Sequence, residues 1–183
     1  MRVSIVPFQD QYSKYFYELN YDWLNEYFYV EDYDEKVLKN CKEEIIDKDG
    51  YIFFAIHDNS VVGTMALIPR ENGVYELNKM AVNKELRGNG IGNQLISFII
   101  DFAKNKRYKS VILYSNTVLK NSIHLYNKFG FIPSIQFFAK LNEASPKIFD
   151  DSIILKAKRG LKTFNSKCPF APAKLTATSF PII

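Results

Sequence analysis

Three glycines in the hexapeptide RGNGIG, residues 87–92, mark the clearest candidate for chemistry in this sequence. Glycine lets the backbone take positive φ and leaves no Cβ between the chain and a ligand. The hexapeptide follows a run at Tyr75–Val82 that is typical of a strand, and an amphipathic helical run begins near Ile91. The first N–H groups of a helix have no partner within it and favour an anion. We therefore predict a phosphate-binding loop between a strand and a helix.

Two common phosphate loops do not fit this hexapeptide. A Walker A loop needs a lysine followed by serine or threonine, and none stands at the required place. A dinucleotide-binding fingerprint, GxGxxG, matches Gly88 and Gly90 but has Asn93 where the third glycine belongs. The pattern that does match is RxxGxG at residues 87–92, followed further along the chain by Asn121-xxxx-Tyr126-xxx-Gly130-Phe131.

With these two motifs the chain resembles the GNAT superfamily of N-acetyltransferases, roughly over Arg2–Lys158 and most strongly over Glu76–Phe131. The resemblance implies an α+β GNAT fold: a mixed, mostly antiparallel sheet of six to seven strands flanked by about four helices. It also implies a splay between the Tyr75–Val82 strand and its neighbour, Ser110–Ser115.

The resemblance further implies that acetyl-CoA is the co-substrate, with no metal. The loop amides are then expected to bind the coenzyme pyrophosphate, and the free edge of the preceding strand to pair with the pantetheine arm as a further strand would. Asn121 is expected to cap its helix and to touch the same arm. The cofactor-binding residues predicted in this way are Met80, Ala81, Val82, Arg87, Gly88, Asn89, Gly90, Ile91, Gly92 and Asn121.

Acetyl transfer to an amine requires that the ammonium lose a proton and that the leaving thiolate regain one. By resemblance, Tyr126 is the candidate general acid; the alternative is a packing aromatic. Glu76 is the candidate base, directly or through a water, and strand alternation predicts that it shares a face with Asn78, Met80 and Val82. The alternative for Glu76 is a carboxylate that orders water or pairs with a lysine.

Periodicity and turn signals predict the remaining elements. We expect one GNAT acetyltransferase domain over residues 1–158 and a loosely packed or disordered tail over residues 159–183. The predicted strands are Arg2–Pro7, Tyr51–His57, Val61–Pro69, Ser134–Phe138 and Ile153–Lys158. The predicted helices are Asp10–Asn25, Glu35–Asp47 and Asn121–Phe129.

Charge is uneven along the chain: the first 50 residues carry 12 acidic and 6 basic side chains, although the net charge is +4. By resemblance, the first two helices wall the acceptor site. Their acids and aromatics suit a cationic amine, namely a small, lysine-like or N-terminal one; the alternative is a solvated acidic loop over an aromatic core. The side chains concerned are Trp23, Tyr27, Phe28, Tyr29, Glu31, Asp32, Asp34 and Glu35.

Two other functions stay open: an acyl-CoA-binding module without transferase activity, and an acetyltransferase acting on aminoacyl-tRNA. The acidic first third and the pI of 8.9 make a nucleic-acid partner less suitable. Two cysteines, Cys41 and Cys168, and the lack of a signal peptide or membrane span predict a cytoplasmic protein with no membrane partner. A homodimer is compatible with the sequence.

Overall fold

The structure is a computed structural model that describes residues 1–116, 118–133 and 152–158, the last of these through the backbone alone. Its seven strands form one sheet in the order β1-β2-β3-β4-β5-β7-β6. Every neighbouring pair is antiparallel except β4 and β5, which run parallel. The strands are β1 Ser4–Pro7, β2 Tyr51–His57, β3 Ser60–Pro69, β4 Val74–Val82, β5 Ser110–Asn116, β6 Ile132–Pro133 and β7 Ser152–Lys158.

Helices pack on both faces of this sheet, and each face has its own apolar cluster. On one face Phe16 and Leu38, from the first two helices, pack with Phe54 of β2. On the other face Leu95, from the helix after the glycine loop, packs with Leu67 of β3. The α-helices are α1 Ser13–Tyr27, α2 Asp32–Lys39, α3 Cys41–Glu44, α4 Ile91–Asn105 and α5 Lys120–Lys128. This arrangement confirms the predicted α+β fold.

The apolar spacing of the longer helices explains which side of each is buried. In α4, Ile91, Leu95 and Ile99 recur every four residues and are all buried, so they form one stripe against the sheet. In α1 the same spacing buries Phe16 and Leu24. Among the described residues, no helix is both long and apolar enough to cross a membrane.

The region predicted as one helix, Glu35–Asp47, is instead two. α2 begins at Asp32, earlier than predicted, and the backbone leaves helical geometry at Asn40, where φ is −113° and ψ is 42°. Amphipathic spacing continues across this break, so the periodicity alone does not reveal it.

The predicted strand Ile153–Lys158 is present as β7. The predicted strand Ser134–Phe138 and the tail 159–183 lie outside the described residues.

Candidate functional site

The two parallel strands separate partway along their length. β4 pairs with β5 from Val74 opposite Ser110 to Leu77 opposite Leu113, and the pairing stops there. β4 continues to Val82 with β3 as its partner. The predicted splay is confirmed, and it leaves a slot between the ends of β4 and β5.

One edge of β4 faces this slot. The Asn83 N–H donates to the Val62 carbonyl on the β3 side, at 2.9 Å. Because neighbouring residues of a strand point to opposite edges, the N–H and C=O of Val82 point toward the slot. Arg87 Nε donates to the Val82 carbonyl at 3.3 Å. The Val82 N–H is therefore one polar group that this edge offers to a ligand, whereas the Val82 carbonyl is already engaged by Arg87.

The glycine loop connects the splayed end of β4 to α4. Gly88 has φ of +85° and Gly90 has φ of +80°, values that residues with a Cβ adopt at a cost. No atom lies within 4 Å of the position that a Cβ would take at either residue. Backbone conformation, not crowding, therefore requires glycine here, and the space around the loop is open.

In the described part of the chain, the amides of this loop and of the first turn of α4 are left without backbone partners. Among the described residues, no amide from Gly88 to Asn93 donates a backbone hydrogen bond. Gly90 stands at the N-cap of α4 without a side chain to cap it. A run of unsatisfied N–H groups at the positive end of a helix can bind an anion such as a pyrophosphate.

Gly92 connects the loop to the slot. A Cβ on Gly92 would lie 3.2 Å from Leu125 Cδ2 and 3.6 Å from Met80 Cε. The start of α4 is therefore packed closely against both the splayed end of β4 and α5. This close approach puts the loop, the strand edge and the helix that carries Tyr126 into one contiguous site.

The Arg87 side chain is turned toward α1. Its Nη1 donates to Glu26 Oε2 at 2.8 Å and to the Tyr27 hydroxyl at 3.3 Å. Lys84 approaches the same carboxylate at 3.5 Å, and hydrogen bonding from Arg87 lowers the pKa of Glu26. Arg87 therefore ties the glycine loop to the end of α1.

Tyr126 is held by the way α5 ends. Gly130, with φ of +77°, donates to the Asn127 carbonyl at 3.0 Å, and the Phe131 N–H donates to the Tyr126 carbonyl at 3.1 Å. These are the two bonds of a Schellman motif, so the predicted helix end at Gly130 is confirmed. The Phe131 ring also lies edge-on to the Tyr126 ring, with centroids 6.0 Å apart.

The Tyr126 hydroxyl makes no hydrogen bond to another described residue. The side chain is half-buried, and burial raises its pKa to about 12. A phenol with this pKa stays protonated throughout the neutral range and can donate a proton or a hydrogen bond. The group is therefore in the protonation state that a general acid needs.

Asn121 lies in the first turn of α5 and is exposed. The N-cap of α5 is Leu119, not Asn121, so the prediction that Asn121 caps the helix is wrong. The turn before the helix is instead closed by Asn116, whose Oδ1 accepts from the Val118 N–H at 2.9 Å. Asn116 lies before this helix and Asn121 lies in its first turn. The sequence does not show which of the two accepts a hydrogen bond from the backbone, whereas the geometry of the turn does.

The Glu76 carboxylate is buried in a polar network. Arg70 donates to Glu76 Oε2 from Nε at 2.8 Å and from Nη2 at 2.5 Å. Asn78 Nδ2 donates to Glu76 Oε1 at 2.6 Å. Burial raises the pKa of Glu76, and the charge and hydrogen bonds of Arg70 act in the opposite direction. One alternative for this carboxylate was an ion pair with a lysine; the partner is instead an arginine, six residues earlier in the chain.

Glu76 does not share a face with Met80 and Val82, as alternation had predicted. Met80 and Val82 pack against the same apolar cluster as Leu77. The reason is a β-bulge: Ala66 lies opposite Asn78 and Thr64 lies opposite Ala81, so Lys79 and Met80 together oppose one residue of β3. The extra residue reverses the alternation beyond Lys79.

The acidic side chains of the two helices that are predicted to wall the acceptor site are not equivalent. Asp34 is buried and forms an ion pair with Lys79, and Glu35 pairs with Lys39 at 2.7 Å. Glu31 and Asp32 are exposed. The aromatic residues of the same wall form a cluster in which the rings of Trp23 and Phe28 have centroids 5.5 Å apart, with Tyr27 beside both.

Sequence reasoning missed three residues of the site: Arg70, Asn78 and Lys79. Asn78 alternates with Glu76 on the same strand, and this spacing was the available signal for its contact. Arg70 lies beyond a turn and Lys79 bonds across 45 positions to Asp34. No local pattern distinguishes these two from solvated surface residues.

Comparisons with known proteins agree with this geometry. The profile of the Acetyltransferase (GNAT) family matches residues 9–131. Probable N-acetyltransferase 14 of Xenopus tropicalis is 33% identical over 82 residues, which are 44% of this chain and 40% of that relative. The chain spans less than half the length of the curated relatives it matches.

Solved structures share the fold at lower identity. A GNAT acetyltransferase from Staphylococcus aureus Mu50 superposes with a TM-score of 0.72 at 22% identity, over 86% of this chain and 99% of that one. A GNAT acetyltransferase from Elizabethkingia anophelis, solved with acetyl-CoA bound, gives a TM-score of 0.57 at 22% identity, over 85% and 97%. With its profile match covering most of the described residues, this chain belongs to the GNAT acetyltransferase family.

Proposed function

We propose that this protein transfers an acetyl group from acetyl-CoA to a primary amine by direct attack within a ternary complex. One observation carries the proposal: the splayed end of β4 offers an open edge directly beside a loop with unbonded amides. A ligand with a pyrophosphate and an amide-containing arm matches both features at once.

The described residues fit this coenzyme. The amides from Gly88 to Asn93 would hold the pyrophosphate, and the Val82 N–H would bond the arm. The coenzyme supplies the activated acetyl group as a thioester. That the Elizabethkingia anophelis protein was solved with acetyl-CoA bound supports the same assignment for this chain.

We assign Tyr126 as the general acid that returns a proton to the leaving thiolate. Its hydroxyl has no other hydrogen bond among the described residues, and burial holds its pKa at about 12. A donor of this kind is protonated at the working pH and remains available for the transition state.

We assign Glu76 as the base, directly or through a water. Burial raises the pKa of its carboxyl, which brings a carboxylate closer to the range useful for general-base catalysis. Both of its oxygens are already bonded, to Arg70 and Asn78. Proton transfer to Glu76 therefore requires an incoming group to share one of these oxygens, and Arg70 opposes the rise in pKa that burial causes.

For the acceptor we favour a small, lysine-like or N-terminal amine that carries positive charge. Asp34 is committed to Lys79, which leaves Glu31 and Asp32 as the exposed carboxylates of this wall. Tyr29, at 80% exposure, is the most solvent-accessible aromatic near them. Carboxylates beside aromatic faces attract cations.

The test has two stages. Addition of acetyl-CoA should raise the melting temperature of the protein, and release of free thiol should then depend on an amine from a panel of cationic, neutral and acidic acceptors. Tyr126→Phe should keep the melting shift and lose the thiol release. A melting shift with no turnover of any acceptor would favour the acyl-CoA-binding module, and turnover restricted to neutral or acidic acceptors would contradict the acceptor assignment.

A further inference from the structure

A buried ion pair joins α2 to the splayed end of β4. Lys79 Nζ bonds Asp34 Oδ1, and the two side chains are only 7% and 8% exposed. Burying two charges is costly unless they satisfy each other. Burial raises the pKa of Glu76, and the charge of Lys79 opposes this rise from a distance. Neither member of the pair bonds to Glu76, however, whose direct partners are Arg70 and Asn78, so the pair needs an explanation of its own.

Lys79 is also in an unusual backbone conformation. Its φ is +48°, a left-handed value that is uncommon for a residue with a long side chain. It is the extra residue of the bulge that separates the paired half of β4 from the splayed half. The Lys79 N–H donates to Asn78 Oδ1 at 2.6 Å. The bulge is therefore supported by two side chains: Asn78 bonds the backbone amide of Lys79, and Asp34 bonds its ammonium group.

Because the bulge lies just before the open edge of β4, the Asp34–Lys79 ion pair can affect how that edge binds a ligand. One extra residue reverses the alternation of the strand, and it does so immediately before Met80–Val82. The bulge therefore determines that the Val82 N–H points into the slot and that the Met80 side chain packs toward Gly92. Without the bulge, the opposite set of edge groups would face the coenzyme arm.

From these contacts we propose that Asp34 and Lys79 are positioning residues for the coenzyme arm. Their ion pair holds the bulge that aims the Met80–Val82 edge, so a helix on the acceptor side of the sheet contributes to donor binding. This inference rests on the coenzyme site of the proposed function.

The experiment compares two probes that differ in the arm alone. Coenzyme A carries the pantetheine arm, and 3′-phosphoadenosine 5′-diphosphate lacks it. Dissociation constants for both are measured by calorimetry for the wild-type chain, Asp34→Asn and Lys79→Gly, each confirmed as folded by circular dichroism. Glycine adopts the left-handed conformation easily, so Lys79→Gly removes the ammonium without opposing the backbone.

Both variants should weaken coenzyme A binding about tenfold, the loss expected when a backbone hydrogen bond to the arm is misaligned. Binding of the nucleotide without the arm should not change, because the glycine loop lies beyond the bulge. Lys36→Gln on the same helix removes a surface ion pair with Glu44 and should leave both affinities unchanged.

The possible failures are distinguishable. A wild-type chain that does not bind coenzyme A would overturn the proposed function and this inference with it. Normal coenzyme A binding by both variants, or an equal loss for the two probes, would overturn this inference alone. If neither variant folds, Lys79→Arg is measured instead, because arginine keeps the positive charge but has a side chain of different length and shape. A selective two- to threefold loss for coenzyme A would then support the proposal, and equal effects on the two probes would overturn it.

Discussion

The two halves of strand β4 differ in how their polar groups are satisfied. In the first half, Val74–Leu77, the backbone pairs with strands on both sides, and the Glu76 side chain is enclosed by Arg70 and Asn78. In the second half, Met80–Val82, the backbone pairs with β3 alone, and the adjacent loop has unbonded amides. Lys79 separates the two halves.

This difference indicates that the two halves of the strand have different roles. The closed half holds a charged side chain in a fixed network and tunes its pKa. The open half offers backbone groups, which recognise a ligand without depending on side-chain identity. A donor with a long amide-containing arm would be expected to bind the open half, and chemistry that needs a tuned carboxylate would be expected at the closed half.

The largest expected effect concerns Tyr126, which lies on α5, the helix that packs with the open half of β4 against Gly92. We expect Tyr126→Phe to lower kcat by at least about tenfold and up to roughly 10⁴-fold, because the proton donor to the thiolate is lost. The KM for acetyl-CoA should stay nearly constant, and the ring contact with Phe131 should preserve stability. Steady-state kinetics by thiol release would measure both constants.

Tyr12→Phe is the matched control, since its ring packs on Phe54 at the opposite face of the sheet. It should leave kcat unchanged. Full turnover by Tyr126→Phe would show that the open half binds the donor without contributing an acid.

The closed half is tested by Glu76→Gln, for which we expect a roughly 10²-fold loss of kcat. The wild-type rate should rise with pH through the raised pKa of Glu76, and this rising limb should be absent in the variant. A limb that survives the substitution would exclude Glu76 as the base.

Stability should show the same titration with a defined sign. Because burial raises the pKa of Glu76, the neutral form is favoured by folding. The wild-type free energy of unfolding should therefore fall relative to that of Glu76→Gln as the pH rises through this pKa. Glu44→Gln is the control of opposite sign: Lys36 and Lys48 hold the pKa of Glu44 at about 2, so stability there is lost as the pH falls toward that value.

A smaller effect is expected at the loop that completes the open half. Gly90→Ala places a Cβ on a residue with φ of +80°, which costs about 1–2 kcal/mol. Since no neighbour lies within 4 Å of that Cβ, any loss of coenzyme affinity reflects the altered loop. Melting temperature and coenzyme dissociation constant should both worsen.

Asn72→Ala changes another residue with positive φ, in a turn outside the site. It should lower the melting temperature without altering coenzyme affinity. Unchanged coenzyme binding by Gly90→Ala would mean that the loop amides do not hold the pyrophosphate.

The smallest effects concern Arg87, which bridges the loop and α1. Ion pairs at the protein surface contribute little to stability because solvent screens them, so Arg87→Met should barely change stability. We expect it to raise the KM for acetyl-CoA a few-fold, whereas Glu26→Gln frees the guanidinium for phosphate and should lower that KM or leave it unchanged. Parallel increases in both variants would indicate that Arg87 only ties the loop to α1.

Local signals predicted the parts of the site that are built from consecutive residues. The glycine loop, the start of α4 and the end of α5 at Gly130 each follow from residue types within a few positions. The splay between β4 and β5 came from the family resemblance. The structure confirms these features.

The side-chain network could not be predicted because its partners are remote in sequence or depend on one residue of register. A lysine does not indicate a β-bulge in a sequence, yet the bulge at Lys79 reverses the alternation that had predicted Glu76 and Met80 on the same face of the strand. Arg70 reaches Glu76 across a turn, and Asp34 reaches Lys79 from another helix. Such contacts are products of tertiary packing.

The unpaired edge at Val82 should also be visible in amide exchange. A backbone N–H without a partner exchanges its hydrogen with solvent rapidly, while its neighbours bonded to β3 are protected. Coenzyme that binds as an additional strand would slow exchange at Val82 and across Gly88–Asn93, and would leave the β4–β5 pairs at Val74–Leu77 unaffected. Deuterium uptake could therefore map the donor site on the chain before any acceptor is known.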